Sequence, residues 1–520
     1  MYPLGGIQHR RLNRDRKRIM NVDNIPPLRG GIALRRPTNA QITSTIHNLP
    51  LQARYYLPLV DYSRNVIQAL VAIGDSVLGG ELIAPGIVAP TSGTIIERQE
   101  HPWPHPSKTL VPTLILQADG NDTSAVQSPI PTNRDSHSEK LNRIEQAAVH
   151  GLGGAAFSTA RKIRRALESE TITLIINAVE CEPGICCDDA LIQEQAVEVL
   201  SACSSLCRWL NISSALFAIE DDKPLAIKAL NSAMAKYAHS IKLIVLPAKY
   251  PSGAEAPLVQ RLTGTTPTKS QRAADQGVLC LNVATVLSIH RALSGHAAKD
   301  RIVSITTRDL KHSINIRALF GSPISAILNY AEVHSPAIKN ELDKHSSTIH
   351  IGGPVSGFEA TLNESPVLAT TNAILVGPTP EPVAASACIR CTECSTVCPV
   401  NLLPQELYLA AKTKDTALAE RYSLDTCLLC GCCDLVCPAS IPLTNWFRFA
   451  KDSVNQQRTD VNTSDLARQR SDKRIIRLQR LADEKASADA ARRTAAAQRN
   501  TSTDDIKAAL ARAKKKRPKS

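Results

Sequence analysis

Aromatic residues are scarce in this 520-residue chain: three Trp, nine Tyr and six Phe, 3% of the sequence. Nucleic-acid readers stack bases on aromatic side chains beside basic patches, so the scarcity argues against that class. Long apolar runs are missing too. No stretch approaches the ~18–20 consecutive apolar residues that cross a bilayer. The opening residues, MYPLGGIQHRRLNRDRKRIM, carry charge with no apolar stretch behind them. They lack the pattern of a secretory signal. The expectation is a chain that is neither an integral membrane protein nor exported.

What is present is enough to build several cores. Hydrophobic residues make up 43% of the chain, and the length suits three or four domains at roughly 150 residues each. Fifteen cysteines in a non-secreted chain point to reduced thiols that hold metal, not to disulfides. The net charge of +13 sits at the ends: residues 1–36 carry +7 and residues 465–520 carry +10, so the stretch between them is −4. Basic ends suit an anionic membrane surface or an acidic partner subunit; a solvated tail is the plain alternative.

Composition divides the chain. Residues 1–40 read as a basic arm ending in Gly30-Gly31. Residues 41–120 are rich in β-branched residues, Pro and Gly, with a strand expected at Ala69–Ile73 before the turn Gly74-Asp75. A polar linker is expected over 120–138. From 135 to 295, strands at Leu174–Asn177, Ser214–Ile219 and Lys242–Leu246 alternate with helix-like segments, the pattern of an α/β layer. Residues 296–380 return to short strands, with Ile302–Thr306 first and a turn at Gly352-Gly353-Pro354. Residues 384–450 hold nine cysteines, and 455–520 form a basic Ala/Arg/Lys-rich tail, helical or disordered.

The cysteines form two runs, Cys388-Ile-Arg-Cys391-Thr-Glu-Cys394-Ser-Thr-Val-Cys398-Pro399 and Cys427-Leu-Leu-Cys430-Gly-Cys-Cys433-Asp-Leu-Val-Cys437-Pro438. Both read C-x2-C-x2-C-x3-C-P. In bacterial two-cluster ferredoxins the fourth cysteine of each run ligates the other cluster. That pattern assigns Cys388, Cys391, Cys394 and Cys437 to one [4Fe–4S] cluster and Cys427, Cys430, Cys433 and Cys398 to a second, leaving Cys432 over. The prolines can start the following helices. A pair of zinc sites is the alternative, but zinc usually pairs two C-x2-C knuckles. The six remaining cysteines lack this spacing and read mostly as small buried hydrophobes.

A second signal is the loop His150-Gly151-Leu-Gly153-Gly154-Ala-Ala-Phe157-Ser158-Thr159-Ala-Arg-Lys162. Glycines let backbone approach a phosphate or a flat ring, and Lys162 can add a point charge. The loop is not G-x-G-x-x-G, and a tight turn is the plain alternative. A strand ends in Asn177-Ala-Val-Glu180-Cys181-Glu182-Pro183. That places an amide and two acids where α/β folds bind ligands; a solvated loop would also hold two acids.

Gly151–Lys162, Asn177–Pro183, Tyr250-Pro-Ser-Gly253-Ala-Glu255 and Asn282-Val-Ala-Thr285 occur in that order before the cysteine runs. With them the chain resembles the C subunit of the Rnf-type ion-translocating electron transport complex. Its middle is similar to the flavin- and NADH-binding subunit of respiratory complex I. The resemblance implies a multidomain α/β plus β fold: a barrel-sandwich N-terminal domain, an α/β flavin/nucleotide-binding domain, a β-grasp module and a ferredoxin-like two-cluster domain. It implies FMN held by Gly151, Gly153, Gly154, Lys162, Asn177, Glu255, Asn282 and Thr285, with Phe157, Glu180 and Glu182 facing NADH. Ser158, Ala148, Ala190 and Leu281 depart from the family's usual residues. Residues 71–98 contain no lysine, which excludes covalent biotin or lipoate there. The implied activity is NADH–FMN–[4Fe–4S] electron transfer by a peripheral subunit on the cytoplasmic side of the inner membrane. Its implied partners are membrane-embedded subunits and ferredoxin or another low-potential redox protein, with no nucleic acid. The alternative is an electron-relay or assembly subunit whose flavin site is vestigial.

Overall fold

A computed structural model describes residues 25–34, 41–61, 65–107, 109–131, 137–154, 156–237, 239–268, 271–344, 347–360, 365–378 and 383–515. Of the basic arm expected over 1–40, only 25–34 fall within them.

The centre is a four-stranded parallel sheet of Ile241–Leu246, Ala215–Glu220, Thr173–Ala178 and Val278–Asn282, in that spatial order. These runs are apolar along nearly their whole length because helices cover both faces; every residue of Ala215–Glu220 is buried. The helix Cys187–Leu210 sends Leu191, Val199, Leu206 and Trp209 into the same core as Phe217 and Ile219. Pro224–Ala233 begins on a proline, which needs no N–H there. The first and fourth strands in sequence lie side by side, so the order reverses between them, and it is at the carboxyl ends of such a pair that α/β folds place their ligand crevice. The first three strands agree with expectation to within a residue or two; the fourth was not expected from composition.

The N-terminal β unit is an antiparallel sheet of Arg54–Pro58, Leu110–Ala118, Gly93–Pro102 and Ser76–Val77, with a small hairpin of Leu82–Ala84 and Ile87–Val88. Tyr55, Leu57, Ile83, Ile95, Leu114 and Leu116 form its core. The strand expected at Ala69–Ile73 is absent. Asp75 Oδ2 accepts from Ala72 N at 2.8 Å, and Gly74 N donates to Ile95 O at 2.7 Å. These bonds close a turn, and Leu70 and Ile73 are more than 60% exposed. Gln41–Asn48, read as part of this unit, joins another sheet instead.

That second sheet has six strands: Gln41–Asn48, His312–Leu319, Asp300–Thr307, Ala373–Pro378, Ser347–Ile351 and Phe358–Ala360. Gln41–Asn48 pairs parallel to His312–Leu319, and Ile46 N donates to Glu194 Oε1 at 2.7 Å on the long helix of the α/β unit. Such partners lie far away in sequence, so composition could not point to them. Val303, Ile305, Ile316, Ile374 and Val376 pack against the helices Ile324–His334 and Pro336–Leu342.

The expected linker is tied down where it is described. Gly79 N donates to Thr123 O, Ala125 N to Gly79 O, Gln127 N to Gly295 O and Ile130 N to Leu293 O, all at 2.8–3.1 Å. It straps the N-terminal unit to the α/β unit. From Leu443 to Lys515 the chain is helical, and its described residues from Phe449 onward form a separate unit. Residues 455–498 of that unit are exposed. No helix among the described residues is long and apolar enough to cross a membrane.

The strap sets a requirement at Gly295. Its φ is +99°, and a Cβ there would overlap the Gln127 carbonyl. Gly295→Ala should therefore destabilise the protein by roughly 2 kcal/mol or more. A urea melt showing a cost below a few tenths would contradict the strap's role.

Candidate functional site

The glycine loop folds back on itself above the crevice. Gly151 N donates to Phe157 O at 2.9 Å, Ala156 N to Gly151 O at 3.1 Å, and Leu152 N to Thr285 Oγ1 at 2.9 Å. Ser158 then caps the helix Thr159–Leu167 by accepting from Arg161 N at 3.4 Å. Gly154 has a φ of +100° and open space where a side chain would start. A Cβ on Gly153 would touch Asn282 Cβ at 3.4 Å. Arg272 lies over the Phe157 ring, 5.4 Å from its centroid.

Asn177 and Asn282 are register partners on the two strands that flank the crevice. Asn177 Nδ2 donates to Gly253 O at 2.9 Å and its Oδ1 accepts from Val179 N at 3.0 Å. Asn282 Oδ1 accepts from Ala284 N at 3.0 Å, capping Val283–Leu293, and its Nδ2 donates to Asp188 Oδ2 at 2.6 Å. Lys162 Nζ is held by Glu255 Oε2 at 2.5 Å and Cys280 O at 2.6 Å. The lysine expected to meet a phosphate is thus turned to Glu255, because the strand's carbonyl and that carboxylate lie within its reach.

The two acids part company. Glu180 is buried and caps the long helix: its Oε1 accepts from Asp188 N at 3.0 Å and its Oε2 from Asp189 N at 3.4 Å. A carboxylate is favoured there by the unpaired N–H groups of the first turn. Burial first, and Glu180 second, raise the Asp188 carboxyl above its ordinary range. Glu182 is buried too, but it faces a different element. Its Oε1 accepts from Val355 N at 2.7 Å and Ser356 N at 2.8 Å, and its Oε2 from Ser356 Oγ at 2.5 Å. The carboxylate read as facing NADH is engaged by the turn after Ser347–Ile351.

Sequence reasoning missed three members of this region. Lys223, just past the strand Ala215–Glu220, is 2% exposed. Its Nζ has no hydrogen-bond partner among the described residues, though Glu180 Oε2 and Asp222 Oδ1 stand 3.9 and 3.8 Å away. Arg301, also buried, donates to Leu152 O at 3.4 Å and to Ala369 O. Asp188 joins Asn282 to the Glu180 cap. Position at the carboxyl end of a strand was the available signal for Lys223; Arg301 comes from another sheet and had none. The open space at Gly154 and the buried Lys223 ammonium, which has ion-pair neighbours but no hydrogen bond among the described residues, fit an anionic ligand.

The cysteine runs share a backbone. Arg390 and Leu429 have φ of +56° and +55°, Thr392 and Gly431 of +67° and +75°, and Asn401 and Ser440 of +54° and +51°. The equivalent residues of both runs are therefore left-handed, a conformation that turns successive N–H groups inward around an anionic centre. Four of the six are neither Gly nor Asn, so the conformation costs energy. Cys398, Cys427, Cys430 and Cys433 line a single cavity, as crosswise ligation requires. Cys432 lines it as well, and the neighbouring thiols pull apart in acidity, Cys430 being lowered and Cys432 raised from the ordinary thiol range by their mutual interaction. Cys388 and Cys391 are exposed, Cys394 is buried and Cys437 half-buried. Pro399 and Pro438 do not start helices. They sit inside turns closed by Asn401 N to Cys398 O and Ser440 N to Cys437 O, and the next helices begin at Pro404 and Leu443. Of the other six cysteines, five are buried and Cys181 is half-buried.

The segment Lys249–Glu255 connects the two regions. Tyr250 Oη donates to Cys430 O at 2.6 Å, while Glu255 holds Lys162. Glu220 Oε1 accepts from Ser252 Oγ at 2.9 Å and Lys249 N at 3.3 Å. Burial pushes the Glu220 carboxyl up to about 7, with Asp222 adding to the effect. Gly31 N also reaches Val397 O at 2.9 Å, and a Cβ on Gly30 would strike Cys398.

Comparison with known proteins extends this picture. Residues 27–121 match the RnfC barrel sandwich hybrid domain, 144–291 the Nuo51 FMN-binding domain, and 384–441 the 4Fe-4S dicluster domain. The chain thus has a barrel-sandwich N-terminal domain, an FMN-binding domain and a 4Fe–4S domain. The C subunit of the ion-translocating oxidoreductase complex of Pseudomonas aeruginosa is 36% identical over 463 residues, which cover 87% of this chain and 58% of that protein. A Haemophilus influenzae relative of the same name is 38% identical over 472 residues, 88% of this chain and 70% of the relative. One from Salmonella arizonae is 37% identical over 506 residues, 95% and 73%. The chain therefore spans less than two thirds of the Pseudomonas protein. Among solved structures, an NAD+-reducing [NiFe]-hydrogenase in the H2-reduced state aligns at a TM-score of 0.40 and 16% identity, over 62% of this chain and 61% of that one.

Two measurements test the geometry. Crosswise ligation predicts that Cys398→Ser in anaerobically prepared protein abolishes the EPR signal of a cluster assigned to Cys427, Cys430 and Cys433 and spares the other. Loss of only the Cys388–Cys391–Cys394 signal would show that each run closes its own cluster. The second concerns Glu220. A carboxyl near 7 when folded and ~4.3 when unfolded makes the folded state bind the extra proton. Stability contributed by that proton is present at low pH and is lost as pH rises from ~4.3 to about 7. Glu220→Gln should flatten this decline, by on the order of 2 kcal/mol between pH 5 and 8. Equal pH slopes in wild type and variant would refute the assignment.

Proposed function

The chain belongs to the C-subunit family of ion-translocating oxidoreductase complexes, and from that premise we propose that it passes electrons between NADH, FMN and two [4Fe–4S] clusters. It does so as a peripheral subunit on the cytoplasmic side of the inner membrane, where its membrane-embedded partners couple the electron flow to ion translocation. The observation that carries the reading is the Lys249–Glu255 segment, which touches Lys162 of the crevice at one end and Cys430 of the cysteine cavity at the other. Bound there, FMN would accept one hydride, an electron pair, and release the electrons singly, which is what would join NADH to one-electron clusters.

The chain's own residues supply binding and orientation. The glycine loop offers backbone close to a flat ring, with Gly153 clearing Asn282. Thr285 fixes the loop through Leu152 N, and Arg301 holds the Leu152 carbonyl. Lys223 brings a buried positive charge to the same crevice, suited to a ligand that becomes more negative on reduction. Phe157, half-buried with Arg272 over its ring, is the aromatic side chain of the loop that would meet the nucleotide. Cys398, Cys427, Cys430 and Cys433 hold the inner cluster, and Cys388, Cys391, Cys394 and Cys437 the outer one, whose exposed ligands suit delivery to ferredoxin or another low-potential redox protein. The repeated cysteine backbone supports a ferredoxin-like domain, and the six-stranded sheet with its two helices supports a β-grasp module. The basic ends suit docking to membrane-embedded partners and their anionic surroundings.

A second reading keeps the clusters without the flavin. It is favoured by the internal engagement of Lys162, Asn177 and Asn282, which leaves these groups bonded to the protein itself. Mixing anaerobic, FMN-reconstituted protein with NADH separates the two. Bleaching of the yellow flavin band is expected. Its absence, in protein with tightly bound FMN and full iron content, would leave an iron–sulfur relay subunit. Glu182→Gln should retain FMN and weaken NADH-driven cluster reduction more than reduction by dithionite, since its carboxylate positions the turn beside Gly431. Equal losses with both reductants would deny it that part.

A further inference from the structure

The phenol of Tyr250 is the side-chain donor that the α/β domain extends to the backbone of a cluster ligand. Its ring is 5% exposed, and its hydroxyl meets the Cys430 carbonyl at 2.6 Å, across 180 residues of sequence. The placement is enforced from several directions. Tyr250 N donates to Ile32 O at 3.0 Å and Ile32 N to Tyr250 O at 2.8 Å. Glu220 grips the residues on either side through Lys249 N and Ser252 Oγ. Two further contacts press on the same cavity wall: Gly30 against Cys398, and Val355 against Gly431. The hydroxyl is buried, and the atom it donates to is the carbonyl oxygen of a residue read as a ligand to a centre that gains negative charge on reduction.

We propose that Tyr250 is a positioning residue for electron uptake, its hydroxyl setting the reduction potential of the cluster held by Cys398, Cys427, Cys430 and Cys433. The proposal rests on reading Cys430 as a cluster ligand. The step it serves adds one electron to that cluster; NADH gives up two electrons and leaves as NAD+ with release of a proton, and the second electron passes to the cluster assigned to Cys388, Cys391, Cys394 and Cys437. Tyr250 keeps its O–H bond throughout and moves no proton. A donor dipole aimed at the ligand loop stabilises the more negative, reduced form, as hydrogen bonds and charge near a cluster do. Removing it should make the cluster harder to reduce.

The test is an EPR-monitored redox titration of the full chain, prepared anaerobically, with the two signals assigned through Cys398→Ser. Tyr250→Phe should lower the reduction equilibrium constant of the inner cluster three- to ten-fold, a ten-fold change being ~59 mV for a one-electron couple. The outer cluster should not move. Placing 3,5-difluorotyrosine at position 250 keeps the ring and hydroxyl but makes the phenol a stronger donor, so the inner cluster should become easier to reduce. Opposite shifts confined to one cluster support the proposal. An unchanged inner potential in Tyr250→Phe at full iron content overturns it, as do equal shifts in both clusters. If Tyr250→Phe loses iron, the fluorinated protein decides, and the lack of an upward shift there overturns the proposal. Wild-type protein with two zinc ions and no iron would refute the cluster assignment itself, a result distinct from any shift in potential.

Discussion

Glu182 joins three parts of the molecule through two oxygens. It leaves the carboxyl end of a parallel strand, accepts from Val355 N, Ser356 N and Ser356 Oγ, and so fixes a turn of the six-stranded sheet. The same turn abuts Gly431 of the cysteine segment, and Arg448 donates to the Ser356 carbonyl at 3.4 Å. Hydrogen bonds to a charged group are worth about 1.5–3 kcal/mol each. A buried carboxylate robbed of them would incur its full desolvation cost. The turn has no latitude either, since a Cβ on Gly353 would overlap the Glu182 carboxylate. Placement of the cysteine segment against the crevice depends on this clamp and on the Tyr250 contact.

The crevice floor follows a related logic. Glu180 occupies a helix N-terminus, and its charge is what the exposed N–H groups there favour. Asp188, in the first turn of that helix, then lies beside a like charge in a dry setting and is pushed toward its neutral form. Lys223 and Arg301, arriving from different sheets, offset the negative charge. Ionisable side chains gathered at a point where α/β folds bind ligands are more than a hydrophobic core needs.

How much of this was legible in the sequence depends on whether the cause was local. The strands at 173–178, 215–220 and 241–246 announce themselves because burial on both faces demands unbroken apolar runs. The cysteine runs are legible because cluster geometry dictates their spacing. Ala69–Ile73 looked like a strand by composition, but Asp75 captured its backbone into a turn. Gln41–Asn48 found its partner some 270 residues away, beyond the reach of any local pattern. The site residues show the same division. Gly154 was readable because a left-handed turn needs glycine. Lys162 and Glu182 were recognised as polar groups in the right neighbourhood, but their hydrogen-bond partners, Glu255, Val355 and Ser356, are set by tertiary packing. Tyr250 stood inside a motif already singled out, and nothing in the motif says that its hydroxyl looks toward Cys430.

The unequal shelter of the two cysteine sets has a consequence for handling the protein. Cys388 and Cys391 are open to solvent, whereas Cys398 and Cys430 are covered by the glycine arm, Tyr250 and the turn at Val355. A solvent-borne thiol reagent or oxidant therefore meets Cys388 and Cys391 without any motion of the chain, and the thiols behind these covers later, so the first run is the one that needs protection during purification.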